Sequence, residues 1–372
     1  MSTVAICCNG PIPGCGFPNS AQGIRALGLY LGLRAHGVDC RIVSPADTVH
    51  GSMVRWAATH VRIPEYWHVL PTPEFARVLN QKYGTVIFLN WSLGINFRKG
   101  ENTRVIYDFF SPTIVEHSFI KDRGDLNQKI EAKLSLVRQA DAFIANGVGR
   151  AEYALDFLSR WGVRQTDTEV VSVPLGVPWQ GEDAPRPVSG RPKEIFIGGF
   201  EQIWTKGLSI GDVVGLARRL NAVAHVIGVG EHFHFGRLSQ EISAGDLPEN
   251  VLLYRPAAFE TYCDINRRCD VALDVFSDNE ERRVSYSTRS IVSIANGCPI
   301  VHMGFTEVGG LLGQIPAGWT LDQFNLGKLE SLLAESLADD ARLTDARQAT
   351  YRFWQQQVDP VRQVEPMLRL LQ

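Results

Sequence analysis

No stretch of the chain approaches the roughly 18 uninterrupted apolar residues of a membrane span, and no charged-then-apolar leader opens it. The two absences set the expectation of a cytoplasmic protein with no integral membrane segment. Cysteine chemistry is sparse: the seven cysteines, at 7, 8, 15, 40, 263, 269 and 298, are scattered, odd in number and form neither a CxxC nor a Cys/His ligand block. They read as reduced core thiols, and no metal is expected. An excess of positive charge is also missing. At a net charge of −3 there is no overall field for nucleic acid or anionic lipid, so any phosphate recognition must be local. Internal repeats and low-complexity tracts are absent, which excludes solenoids and arrays. What remains is an ordinary globular composition, 45% hydrophobic and 21% charged, spread over 372 residues. That length exceeds what one core usually organises and predicts two domains.

The first 45 residues carry a β-α-β signature. Val4 to Cys8 is a short apolar run, Ser20 to Ala35 places Ile24, Leu27, Leu31 and Ala35 at helical spacing, and Val38 to Val43 is a second apolar run. Parallel pairing with a right-handed crossover follows. Further strands are expected at 86–89, 105–107, 142–144 and 170–173, with helices near 74–82, 125–140 and 149–161. Residues 1–178 therefore read as a doubly wound, Rossmann-like domain. The stretch 179–193, rich in proline and charge, has the composition of a linker. A second Rossmann-like domain is expected over 194–352, with strands at 194–197, 224–227, 251–253, 271–273 and 300–301. An amphipathic closing helix is expected over 353–372.

In parallel sheets, ligands bind beyond the carboxyl ends of the strands, where loops and helix N-termini present free N–H groups. Candidates lie in those loops. Gly14 and Gly16 follow the first strand and allow close backbone approach. The same loop also suits an ordinary tight turn, and it lacks the third glycine and the acidic residue of a dinucleotide fingerprint. Asp108 ends a strand, with Glu116 and His117 shortly after, a set suited to orienting a hydroxyl or a sugar. Asp108 as a helix cap and His117 as a satisfied surface residue are the plainer reading.

In the second half, Gly198-Gly199 and Trp204-Thr205-Lys206 end the first strand, offering bare backbone and a point charge to a phosphate. The most concentrated polar block runs from Glu280 to Arg289. Its three arginines and four hydroxyls, including Arg283, Ser285, Tyr286, Thr288 and Arg289, precede an apolar helix and suit a diphosphate. Glu281 and Glu307 are placed to accept from sugar hydroxyls, and Gly309-Gly310 to lie near a phosphate.

Taken in order, these segments resemble the retaining family 4 glycosyltransferases of GT-B architecture, in a bacterial subgroup acting on polysaccharides and secondary metabolites. The resemblance spans nearly the whole chain. It rests on the glycine-rich loop, Val105-Ile106-Tyr107-Asp108 with Glu116, Ala140 to Asn146, and Val171 to Pro178. Gly198-Gly199 with Ile203-Trp204, then Glu281 to Arg289, and finally Asn296-Gly297-Cys298-Pro299-Ile300-Val301 complete it. It implies two Rossmann-like domains facing across a cleft. A nucleotide diphosphate sugar would be held mainly by the C-terminal domain, and the acceptor, whether glycan, lipid-linked or small molecule, mainly by the N-terminal one.

Catalysis would need neither metal nor cofactor. Lys206 and Arg289 would neutralise the leaving diphosphate of an oxocarbenium-like transition state, and the base would lie near Arg255 and Phe259. Two positions depart from the family pattern. Val292 stands where an acidic residue commonly contacts the ribose, and Gly199 stands where an arginine commonly contacts phosphate. Those departures keep two alternatives open, a catalytically silent partner subunit and a sugar epimerase of the same architecture.

Overall fold

The computed structural model describes residues 3–55, 58–119, 126–163, 168–181, 191–198, 205, 207–227 and 247–372. The chain divides into two compact units. The first comprises Met1–Pro178, Val284–Tyr286 and Gln357–Gln372; the second comprises Trp179–Arg283 and Ser287–Gln356.

Among the described residues the first unit is built on seven parallel strands: β1 (Val4–Cys7), β2 (Cys40–Pro45), β3 (Trp67–Leu70), β4 (Thr85–Phe88), β5 (Arg104–Phe109), β6 (Ala142–Ala145) and β7 (Val170–Ser172). Their order across the sheet is β3-β2-β1-β4-β5-β6-β7. The central strands are buried along their whole length because helices cover both faces, which is why they read as continuous apolar runs. The helices are α1 (Ala21–Ala35), α2 (Ala46–Arg55), α3 (Phe75–Lys82), α4 (Thr113–Ser118), α5 (Leu126–Val137) and α6 (Val148–Arg160). One face buries Ile6, Ile42, Ile106 and Ile144 against α1; the other buries Val86, Tyr107, Phe109 and Phe143 against α5 and α6.

Ser20 caps α1 by accepting from the Gly23 amide at 3.0 Å. The helix then packs without clearance: a Cβ on Gly28 would meet the Gly176 carbonyl oxygen at 2.1 Å, and one on Gly32 the Pro360 oxygen at 2.2 Å. The chain's end therefore belongs to this unit.

Among the described residues the second unit carries six parallel strands, β8 (Lys193–Ile197), β9 (Ala222–Ile227), β10 (Val251–Tyr254), β11 (Val271–Asp274), β12 (Ile300–Met303) and β13 (Gly318–Leu321), in the order β10-β9-β8-β11-β12-β13. Its described helices are α7 (Ile210–Arg219), α8 (Phe259–Arg268), α9 (Glu280–Arg283), α10 (Thr288–Ala295), α11 (Glu307–Gln314), α12 (Leu326–Ala338) and α13 (Asp340–Gln357). A short α14 (Pro360–Gln363) and a 3-10 segment, Glu365–Leu371, end the chain, where the sequence pattern reads as one amphipathic helix. Ser209 and Asp212 form a reciprocal capping box at the start of α7. α10 is buried on nearly every side, and Gly297 (φ 73°) turns the chain out of it toward β12.

The sequence pattern does not reveal β3, α2 or β13. The two strands are four-residue sheet edges, each with a single buried residue, and α2 buries a single residue, Val49. Such elements carry little of the apolar periodicity on which sequence reading depends.

Candidate functional site

In the second unit the carboxyl end of the sheet gathers a compact charged constellation. Asp274, the last residue of β11, is 4% exposed. Its Oδ2 accepts hydrogen bonds from the Ser287 hydroxyl and, at 2.7 Å, from the Ser290 hydroxyl. Arg289 Nη2 lies 2.7 Å from Oδ1 as an ion pair. His302 of β12 contacts Ser290 Oγ through Nδ1 at 3.0 Å. Burial by itself would raise the Asp274 pKa, but the Arg289 guanidinium, His302 and the two hydroxyls outweigh it and draw the group down to about 2. Burial also lowers His302, to about 4, against the pull of Asp274. Near neutral pH the carboxylate is ionised and the imidazole uncharged.

The local sequence explains why this arrangement forms. Ser287 is the N-cap of α10, yet its side chain makes no capping bond, because its hydroxyl is turned to Asp274. The first-turn amides of α10 thus receive no side-chain cap, and Arg289, in that same turn, remains 24% exposed. A guanidinium has five N–H donors, so pairing with Asp274 leaves others to face solvent. The combination of uncapped helix amides and a fixed, part-exposed arginine suits an anionic group.

The other sequence candidates in the Glu280 to Arg289 block do not gather at this point. Glu281 pairs with Arg282, whose guanidinium lies over the Phe276 ring, and both are buried. Arg283 Nε donates to Asp278 at 2.8 Å on the exposed side. Ser285 and Tyr286 pack within the first unit: Arg150 Nη2 donates to Ser285 Oγ at 3.0 Å and Tyr286 donates to the Gln357 carbonyl at 3.3 Å. Thr288 opens α10 beside Arg289.

Glu307 is half-buried at the start of α11, which Thr306 caps by accepting from the Gly309 amide. Gly309 is required by packing, since a Cβ there would meet the Met303 oxygen at 2.2 Å, whereas Gly310 faces open space. Arg255 is exposed after β10 and Phe259 is a core residue of α8. Gly199, Trp204 and Lys206 lie outside the described residues.

In the first unit the carboxyl end of β5 carries Asp108, which is 1% exposed. Its Oδ2 accepts from Arg25 Nε at 2.9 Å, while Arg25 Nη1 also donates to the carbonyls of Val173 and Pro174. Burial raises the Asp108 pKa, and Arg25 only partly counters it. Beyond the strand, the Ser111 hydroxyl reaches both Glu116 oxygens at 2.8 Å, and His117 Nε2 accepts from Lys129 Nζ at 2.9 Å. Burial, and then the Lys129 charge, lower His117. Gly14 and Gly16 both adopt φ of 91°, so the loop after β1 needs glycine for its backbone path alone.

Sequence reasoning missed Asp274, His302, Arg25 and Lys133. Asp274 carried a usable signal, since Val271-Ala272-Leu273-Asp274 closes an apolar strand on an aspartate just as Val105-Ile106-Tyr107-Asp108 does. Lys133, in the middle of α5, had none. Its amine is buried against the rings of Phe157, Phe109, Tyr107 and Tyr153, with centroids 4.5 to 5.9 Å away, and it makes no hydrogen bond among the described residues.

No protein-family model matches the sequence, and no curated protein matches it. Solved structures do match over the full length. Sucrose-phosphate synthase from Thermosynechococcus elongatus superposes with a TM-score of 0.72 at 13% identity, covering 100% of this chain and 99% of that one. HepE of Anabaena, in complex with UDP-glucose, gives 0.66 at 12% identity, with coverage of 100% and 99%. An α-glucosyltransferase in complex with UDP gives 0.65 at 13%, with 100% of each chain covered. The chain thus has the two-domain, Rossmann-like α/β fold of GT-B glycosyltransferases.

Proposed function

We propose that the protein is a glycosyltransferase that moves a hexose-type sugar from a nucleotide diphosphate sugar to an acceptor hydroxyl, with retention and without a metal ion. The observation that carries this reading is Arg289, held by the buried Asp274 carboxylate in the uncapped first turn of α10 at the carboxyl end of the second sheet. A diphosphate there would meet backbone amides and a guanidinium together, and both stabilise the negative charge that develops as the sugar departs. Structures of the same fold that hold UDP-glucose or UDP support the donor class. In this reading the second domain, placed in the sequence at 194–352, binds the donor, and the first, 1–178, binds the acceptor around Asp108, Glu116 and His117. Retention rests on the family resemblance of the sequence motifs.

The test is equilibrium binding of UDP and GDP in the presence of EDTA. The wild-type chain should bind one of them, and Arg289→Ala should weaken that binding by roughly 1.5–3 kcal/mol, the range for hydrogen bonds to charged groups. Unchanged affinity in the variant would remove Arg289 from the site. Slow release of free sugar from the matching nucleotide sugar separates an active transferase from a silent subunit.

A further inference from the structure

The sequence contains no block of metal ligands, yet the fold of the second unit assembles one from three distant positions. Glu194 lies in β8, His225 in β9, and Cys269 directly after α8, where the chain turns toward β11. Parallel pairing sets Phe196 against His225 and Ile227 against Tyr254. Because side chains alternate along a strand, Glu194, Phe196, His225 and Tyr254 share one face of the sheet. The opposite face carries Ile195, Ala224 and Val226 into the main apolar core. One ligand atom each from Glu194, His225 and Cys269 falls within 4.8 Å of the other two.

The groups around these three atoms are arranged as an outer ligand shell. His225 Nε2 faces Glu194 Oε2 at 2.9 Å, while the other ring nitrogen, Nδ1, is held by the Tyr254 hydroxyl at 3.0 Å. The other oxygen of Glu194, Oε1, accepts from Arg191 at 3.3 Å. Both first-choice ligand atoms therefore point inward while their partners are tied outward. That is the pattern by which metal-binding histidines and carboxylates are oriented. His225 and Cys269 are buried, and half-buried Glu194 gives the cluster a side open to solvent. Arg191 does not bring an uncompensated charge, since it also pairs with Asp270 at 2.8 Å.

We infer that Glu194 Oε2, His225 Nε2 and Cys269 Sγ form a site for one zinc-class divalent ion, with water as the fourth ligand. One nitrogen, one sulfur and one oxygen donor suit zinc or cobalt, whereas magnesium and calcium need an all-oxygen shell. Metal–ligand bonds of about 2.0–2.3 Å put tetrahedral ligand atoms roughly 3.3–3.8 Å apart, so small side-chain rotations must open the 2.9 Å contact between His225 and Glu194 and bring all three ligand atoms, which now lie within 4.8 Å of one another, to that spacing. On binding, the Cys269 thiol gives up its proton to solvent, and its hydrogen bond to the Ile265 carbonyl is exchanged for the metal–sulfur bond. The ion would pin β8 and β9 to the start of β11. Asp274 lies at the other end of β11, so this ion would be separate from the donor chemistry proposed above.

The experiment uses the full chain, stripped with a chelator, dialysed and titrated with Zn2+ and Co2+. The expected result is one equivalent bound per chain, a higher melting temperature with Zn2+, and a near-ultraviolet thiolate-to-cobalt band with Co2+. Cys269→Ala and His225→Gln should each weaken uptake by more than the roughly 10–100-fold typical of an outer-shell change, and Cys269→Ala should abolish the cobalt band. Tyr254→Phe should weaken uptake by about tenfold. No stoichiometric uptake, a bound cobalt ion without the sulfur band, or a band that survives Cys269→Ala would overturn the site and leave His225 as a hydrogen-bonded core histidine. If a variant does not fold, the presence or absence of the band in the wild-type chain decides. UDP binding measured on the same stripped samples reports on the donor site independently.

Discussion

Each unit holds, at the carboxyl end of a strand, a buried aspartate paired with an arginine, yet the two carboxyls are driven in opposite directions. Asp108 has Arg25 as its partner and is pushed above the ordinary carboxylate range by burial. Asp274, just as buried, is drawn to about 2 because two hydroxyls and His302 join Arg289 around it. Burial raises both carboxyls, and the groups that favour the charged form decide which side wins. The arginines differ in the complementary way. Arg25 is 1% exposed, donates through Nη1 to the Val173 and Pro174 carbonyls and leaves Nη2 buried without a partner among the described residues, so it ties α1 to the strand ends. Arg289 stays 24% exposed, so part of its guanidinium faces solvent. In the proposed reading the first pair is a buried clamp beside the acceptor residues, and the second meets the donor diphosphate.

The sharpest way to break that contrast is Arg25→Ala. It leaves Asp108 buried without its guanidinium and two carbonyls without a donor, and removal of one partner from a buried pair typically costs about 3–5 kcal/mol. Chemical denaturation should show a loss of that size, with the chain failing to fold if its total stability is lower. Arg289→Ala, at a part-exposed pair whose carboxylate keeps two hydroxyl donors, should cost clearly less stability while affecting UDP affinity. Equal losses in the two variants would erase the distinction between clamp and site.

Lys133 extends the comparison within the first unit. Burial lowers its amine from the ordinary range near 10.5 to about 7. A depressed folded-state pKa on a base means that the unfolded chain holds more protons between about pH 7 and 10.5. The destabilisation is therefore complete below pH 7 and fades as pH rises toward 10.5. Lys133→Met keeps the volume and removes the amine, so it should stabilise the protein by about 5 kcal/mol at pH 6. The gain should shrink steadily toward pH 10. A variant less stable than wild type at pH 6 would show that the four surrounding rings more than compensate the buried charge.

The two-domain architecture was legible in the sequence because both sheets are parallel and buried, and their central strands announce themselves as apolar runs separated by helical periodicity. The site was legible only in part. Arg289 stood out because it sits among hydroxyls just before an apolar helix, and the structure leaves it part-exposed in that helix's first turn. Its neighbours in sequence, Arg283, Ser285 and Tyr286, looked equivalent but find partners elsewhere, in Asp278, Arg150 and Gln357. Proximity along a chain says nothing about which way a turn directs each side chain. Asp274, Lys133 and the Glu194–His225–Cys269 cluster were invisible for the converse reason. Their partners are brought from 13 to 75 positions away by strand pairing and helix packing, as with Asp274 and Ser287 or Cys269 and Glu194, and no spacing rule encodes such contacts.

The smallest expected effect is also the most discriminating. Asp274 has a folded-state pKa near 2, below its ordinary value of 3.8. Its charge therefore contributes stability that is fully present above about pH 4 and is lost as pH falls through 2. The contribution is about 2 kcal/mol. Asp274→Asn should be less stable than wild type by that amount at pH 6, and the difference should close as the pH is lowered toward 2. Asp108, with its pKa raised, has the opposite sign, since protonating it in acid relieves a penalty. The same Asp274→Asn variant also probes the site. Without the carboxylate, Arg289 loses the group that fixes its guanidinium, and Ser287 is released to cap α10. If position governs diphosphate binding, UDP affinity falls while affinity for the bare nucleoside is unchanged. If net charge governs it, removing a negative group raises UDP affinity instead, and Asp274 is then not the residue that positions Arg289.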